Sequence, residues 1–250
     1  MSLKILYIVG DGSIHDNIEL RWSLRSLDRF CTSDIEPVIV GKVPRWFKGE
    51  GLAAEDKTER KEKNIMAKIL AAIDSGLVGH DFFQISADDH FWLRSVNLYE
   101  LPVYYRRPIL PEYNGGNNYE KALADTRRVL LDYGYPAFDT TVHCNQWADA
   151  RLDLEVMRLM VASELPFGNG FHGEYGIASW AVFPNVAIGS WLRQPIREKT
   201  DVKIRQTTTK EFFAAIENQD ICSVNDAAFE NPDVVKYFTE LYSGKSRWER

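Results

Sequence analysis

A chain of 250 residues with 45% hydrophobic and 26% charged side chains has the make-up of a globular protein, long enough to bury a full α/β core. Its 36 acidic residues outnumber the 30 basic ones for a formal charge of −6, which argues against a broad sequence-independent nucleic-acid surface. No apolar stretch approaches the roughly 20 residues that span a bilayer, and Met1-Ser2-Leu3-Lys4 lacks a signal-peptide pattern, so a cytoplasmic protein without a membrane span is expected.

In chain order, Leu3 to Val9 is an apolar run broken by Gly10-Asp11-Gly12-Ser13, a strand followed by a turn. From Asn17 to Phe30, Ile18, Trp22, Leu24, Leu27 and Phe30 recur at three- and four-residue spacings, which predicts an amphipathic helix. Glu36 to Val40 is a second strand. Strand, helix, strand of this length is a βαβ unit and implies a parallel sheet. Gly49 to Lys63 is charged and reads as solvated, and helical spacing resumes from Asn64 to Ile73. His80 to Ser86 is short, apolar and rich in Phe, as a central parallel strand should be. Pro108 to Asn118 carries Pro, Gly-Gly and Asn-Asn and reads as a loop; a helix is predicted from Tyr119 to Tyr133. Another helix is expected from Ala148 to Ser163, then a glycine-rich loop from Glu164 to Glu174, and a helix or strand through Trp180 to Phe183. The last part reads as a helix from Lys210 to Asn218, an apolar turn at Ile221-Cys222-Ser223-Val224 and a helix from Pro232 to Tyr242.

The expected fold is therefore α/β: a single Rossmann-like domain with a mainly parallel sheet flanked by helices. Residues 1–107 form a regular nucleotide-binding half and 108–250 a less regular acceptor half, with no linker between them. Cys31, Cys144 and Cys222 have no metal-type spacing and read as small apolar packing groups in a reducing compartment.

Asp88-Asp89, directly after the aromatic strand, is the strongest local signal. Ligands of open α/β sheets bind outside the carboxyl ends of the strands, and two carboxylates there suit a hard cation bridging phosphate oxygens. The plainer reading is an Asp-Asp turn. His143 is the natural acceptor for a hydroxyl proton near neutral pH, although a lone His is more often a hydrogen-bonded structural residue. Asp16, Glu19 and Arg21 read first as dipole and surface charges at a helix start, and second as placing the Arg21 fork against a phosphate. Asn225-Asp226 either starts a helix or returns another acidic ligand to the site.

These segments together resemble the Stealth family of sugar-1-phosphate transferases. Tyr7-Ile8-Val9-Gly10-Asp11-Gly12-Ser13 looks like the family's opening "W-V-D-G-S" block. Asp16-Asn17-Ile18-Glu19-Leu20-Arg21-Trp22-Ser23-Leu24-Arg25-Ser26-Leu27 is similar to "R-D-N-x-E-L-R-Y-S-L-R-S", and Val43-Pro44-Arg45-Trp46-Phe47 to "I-P-x-W-L". Ala87-Asp88-Asp89 stands where the family has "N-D-D", Ser223-Val224-Asn225-Asp226 resembles "I-N-D", and Lys245-Ser246-Arg247-Trp248-Glu249 resembles a terminal "K-S-x-F-E". The likeness implies a GT-A-like glycosyltransferase fold, Mg²⁺ or Mn²⁺, a UDP- or GDP-sugar donor, and a hydroxyl acceptor such as a carbohydrate. It implies metal ligation by Asp88, Asp89 and Asp226, donor binding by Asp11, Gly12, Glu19, Asp88 and Asn225, and catalysis by His143 as base with Asp89 and Arg21.

This sequence departs from the family at Ala87, at Cys144 where a Pro follows the His, and at Phe171-His172-Gly173-Glu174 where an Arg is expected. Loss of a phosphate-binding Arg leaves open a true glycosyltransferase that releases nucleoside diphosphate. A binding protein without turnover is a further alternative. So is a transferase acting on nucleic acid through a basic patch of Arg127, Arg128, Arg193, Arg197, Lys203 and Arg205, which the net charge disfavours.

Overall fold

The computed structural model describes residues 2–10, 17–58, 61–151, 177–190, 192–200, 202–205 and 208–250. Strands β1 (Leu3–Val9) and β2 (Ile35–Gly41) pair in parallel, joined by helix α1 (Ile18–Phe30). Their side chains alternate between two cores, as the pleat requires. Leu3, Ile5, Tyr7, Val9, Ile35 and Ile39 join a cluster with Leu20, Leu24 and Leu27 of α1. Leu6, Val38 and Val40 face the opposite way, onto Met66, Ile69, Leu70 and Ile73 of helix α2 (Lys61–Asp74). A sheet covered on both faces explains why these strands read as continuous apolar runs.

Strand β3 (Gly51–Ala53) adds to β2 in parallel, inside the segment that the sequence reads as solvated. It is an edge strand with two of its three residues exposed, so little hydrophobic signal marks it. Strand β4 (Phe82–Ser86) lies on the other side of β1, in parallel, and β7 (Gln146–Asp149) closes that edge in antiparallel register, Phe83 opposite Ala148. The sheet order is β3-β2-β1-β4-β7. The predicted helix from Ala148 is thus corrected at its start: Ala148 and Asp149 are strand, because pairing with Phe83 and Phe82 overrides a local helical pattern. Its remainder beyond residue 151 and the glycine-rich loop from Glu164 to Glu174 lie outside the described residues.

Strand β5 (His90–Trp92) follows β4 after a tight turn. Beyond it come β6 (Val103–Tyr105), helix α3 (Asn118–Asp132), helix α4 (Ser179–Gly189), β8 (Ile196–Glu198) and β9 (Lys203–Ile204). Helix α5 (Thr209–Ile216), β10 (Ile221–Val224), α6 (Asp226–Phe229) and α7 (Pro232–Leu241) complete the chain. The predicted apolar turn at Ile221–Val224 is instead a fully buried strand, antiparallel to β5 and parallel to β9. Its strand partners are remote in sequence, so a four-residue run carried no local sign of pairing. A third core gathers Phe91, Ile204, Phe212, Cys222, Val224, Phe238 and Tyr242 around this small sheet, and Trp22 of α1 reaches into it. All three sheets among the described residues cross the 107/108 boundary, through β7, β8 and β10.

Helix α4 has no side-chain cap of its own at Ala178. Glu62 of α2 supplies one, accepting from the Ser179 amide at 3.0 Å and from the Ser179 hydroxyl. A carboxylate at that end satisfies an orphan N–H and meets the positive end of the helix dipole.

Candidate functional site

From β1 the chain runs to β2 on one side and returns to β4 on the other. The crevice between the carboxyl ends of β1 and β4 is therefore the switch point at which open α/β sheets bind ligands. Tyr7 pairs with Ser86, so β4 ends beside the end of β1 and delivers Ala87-Asp88-Asp89 to that crevice. The acidic pair is indeed a turn: the His90 amide donates to the Ala87 carbonyl at 3.3 Å, and the Ala87 amide donates to His90 Nδ1 at 3.2 Å. With Nδ1 accepting, the proton of a neutral His90 ring sits on Nε2, which faces Asp89 Oδ1 at 3.9 Å. The turn and acidic-site readings are compatible, since the turn is what aims both carboxylates.

Glu19, Asp88, Asp89 and Asp226 share this end of the fold, and the environments of the first three drive them apart. Burial raises the Asp88 pKa to about 6, with the Asp89 charge adding to the rise. Burial pushes in the same direction at Asp89, but His90, Lys203, the Ser223 hydroxyl and His143 outweigh it and hold that carboxyl below its ordinary range. Ser223 Oγ donates to Asp89 Oδ2 at 2.6 Å, and Lys203 Nζ stands 3.6 Å from the same oxygen. Glu19, in the first turn of α1, is pushed up to about 8 by burial and then by Asp88, Asp89 and Asp226. Near neutral pH Glu19 therefore keeps its proton, while Asp88 is largely ionised and Asp89 firmly so.

The sign of the resulting pH dependence follows from linkage. Glu19 is protonated in both folded and unfolded states below about 4.5, so it contributes no difference there. Between 4.5 and about 8 the folded form binds more protons, and stability falls as pH rises. The denaturant midpoint of the metal-free protein is expected to drop from pH 5 to pH 8, and Glu19→Gln to flatten that drop. An unchanged slope in the variant would disprove the assignment.

The structure brings Glu19, Asp88, Asp89, Asp226 and His143 into electrostatic reach of one another, His143 through its effect on Asp89. Asp226 is exposed in the first turn of α6, and Asn225 caps that helix by accepting from the Ala228 amide at 3.2 Å. Arg21 is engaged elsewhere: its Nη1 lies 3.2 Å from Glu249 Oε2 and its guanidinium stacks 4.2 Å over the Trp46 ring. Asp11 and Gly12, and His172, lie outside the described residues. Sequence reading missed Lys203 and Ser223 as partners of Asp89, and only their pairing in β9 and β10, Ser223 opposite Lys203, reveals them. Members of the proposed basic patch sit in ion pairs, Arg127 with Glu112 at 2.8 Å and Lys203 with Asp89.

Among the described residues no group of three or more His, Cys, Asp or Glu side chains is arranged to hold a metal ion unaided. The donor set still suits Mg²⁺ or Mn²⁺, because such ions commonly take one or two carboxylates and complete their shell with substrate phosphate and water. No helix among the described residues is long and apolar enough to cross a membrane. The chain matches no known family model and no curated protein.

Proposed function

We propose that the protein is a nucleotide-sugar-dependent transferase on a GT-A-like scaffold, moving a hexose-1-phosphate from a UDP- or GDP-sugar to a hydroxyl acceptor, a carbohydrate. The observation that carries this reading is the carboxylate cluster at the switch point, faced by Lys203 and His143. Asp88 and Asp89 are the ligands for Mg²⁺ or Mn²⁺, whose charge would neutralise the donor phosphates. His143 takes the proton of the acceptor hydroxyl as its oxygen attacks the β-phosphorus; the bond from that phosphorus to the bridging oxygen breaks, and nucleoside monophosphate leaves. Lys203 offsets negative charge beside Asp89. Asn225 and Asp226 line the mouth of the site from α6.

A glycosyl transfer on the same scaffold is the second reading, favoured by Phe171-His172-Gly173-Glu174 standing where a phosphate-binding Arg is expected. One assay separates them. The protein is incubated with UDP- and GDP-sugars, Mg²⁺ and oligosaccharide acceptors, and the released nucleotide is identified by mass. Monophosphate is expected; diphosphate would establish the second reading, and neither product under any donor would leave a binding protein.

A further inference from the structure

A buried cation sits where α2 passes the carboxyl ends of β1 and β2. The Lys68 side chain is 4% exposed; its Nζ donates to the Val9 carbonyl at 3.1 Å and pairs with Asp56 Oδ1 at 2.7 Å. Gly41 permits the approach, since a Cβ there would stand 1.9 Å from the Val9 oxygen and 3.3 Å from Nζ, at a φ of +115°. An apolar side chain would pack α2 onto the sheet without the desolvation cost of a buried ammonium. What the ammonium adds is a fixed orientation for Asp56.

The segment around Asp56 is held as well. Ala53 pairs with Gly41, and the Ala54 amide donates to the Gly41 carbonyl at 3.2 Å. Asn64 Oδ1 accepts from the Lys57 and Thr58 amides, both at 3.2 Å, while its Nδ2 donates to the Thr58 carbonyl at 2.7 Å. The Asp56 side chain remains 32% exposed. Its second oxygen, Oδ2, faces exposed Gly10: a Cβ on that glycine would lie 3.8 Å away. A preorganised carboxylate thus presents one acceptor oxygen beside the β1 end of the crevice. Strands β1 and β4 are neighbours in the sheet, so Asp56, facing Gly10 just past β1, and Asp88, just past β4, flank the same crevice. A nucleotide whose phosphates meet the acidic turn would extend its nucleoside across that crevice.

We propose that Asp56, oriented by Lys68, accepts a hydrogen bond from the nucleoside half of the donor, from a ribose hydroxyl or from the ring imide N–H of uracil or guanine. The inference rests on the nucleotide-sugar reading and adds the residues that recognise the nucleoside. A carboxylate only accepts, so its ligand must donate, and the Lys68 charge keeps Asp56 from repelling nearby phosphate.

The test is calorimetric binding, in Mg²⁺, of UDP and its 2′-deoxy, 3′-deoxy and N3-methyl analogues, the matching GDP series with N1-methyl-GDP, and pyrophosphate. In the wild type one analogue of the bound series is expected to bind about tenfold or more weakly than its parent, the loss of one charge-assisted hydrogen bond. A deoxy deficit names the ribose; a methyl deficit names the base. In Asp56→Asn, Lys68 can only donate and so takes the amide oxygen, turning an NH2 donor toward the ligand. The analogue deficit should then vanish while pyrophosphate binding is unchanged. Parent and analogues binding equally to the wild type would overturn the inference and spare the nucleotide reading. So would Asp56→Asn that weakens pyrophosphate and nucleotides alike with the deficit intact, the mark of a purely structural pair. Failure of every nucleoside diphosphate to bind would overturn both.

Discussion

Replacing Glu249 by alanine is expected to cost about 3–5 kcal/mol of folding stability, the usual consequence of removing one partner from a buried ion pair. The Glu249 side chain is 0% exposed. It accepts from Arg25 Nε at 2.7 Å and Nη2 at 2.8 Å, from Arg21 Nη1 at 3.2 Å, and from the Ser246 amide at 2.9 Å. Without it, two guanidiniums that are each 19% exposed are left facing one another. The tail that carries it is also tied down by backbone bonds, Lys48 N–H to the Trp248 carbonyl at 2.9 Å and Arg250 N–H to the Trp46 carbonyl at 2.8 Å. Three stretches that the sequence likens to separate family blocks therefore form one buttress under α1.

The pH dependence of that buttress has the opposite sign to that of Glu19. Burial alone would raise the Glu249 pKa, but hydrogen bonds from Arg25 and Ser246 and the Arg25 charge hold it at about 2. Its contribution is full above the ordinary carboxylate range and fades as pH falls from about 4.5 toward 2. Urea midpoints of wild type and Glu249→Ala should accordingly differ widely at pH 7 and converge by pH 2. A variant as stable as the wild type at pH 7 would refute the buttress.

The second large effect falls on turnover. Asp89→Asn is expected to lower the transfer rate by ~100-fold or more, the scale of losing one electrostatic contribution at a reacting centre. The substitution is nearly isosteric, and an Asn oxygen can still accept from Ser223 Oγ, so the turn should survive. What is lost is charge: the proposed ligand for the cation, the partner of Lys203, and the repulsion that lifts Asp88 and Glu19. The rate of nucleotide release, measured across a Mg²⁺ titration, checks this. Full activity at all Mg²⁺ concentrations would remove Asp89 from the mechanism, whereas a melting temperature shifted along with the rate would point to a folding defect.

Strands β1, β2 and β4, helices α1 and α2 and the acidic pair were legible because their signals are local: continuous apolar runs, three- and four-residue spacings, and carboxylates at a strand end. Strands β7 and β10 were not, because a strand of four residues is defined by its neighbours rather than by its own pattern. The same division runs through the site. Asp88-Asp89 read in sequence as either a turn or a ligand site, and the structure shows the turn. Lys203 and Ser223 became visible only when β9 and β10 were paired, since Ser223 and Asp89 are 134 residues apart.

Arg21 shows the division most plainly. Its position at the start of a helix read first as a surface charge and second as a phosphate contact, and neither reading named its partner: its guanidinium meets Glu249 at a separation of 228 residues. The sequence by itself determined an α/β chain with a parallel βαβ start and an acidic strand end, because hydrophobic periodicity and turn chemistry act over a few residues. Which charges face one another, Asp89 with Lys203, Asp56 with Lys68 and Arg25 with Glu249, was decided by tertiary packing alone. The physical reason is range: a buried ion pair is selected by the desolvated geometry that surrounds it, and that geometry exists only once distant segments have met.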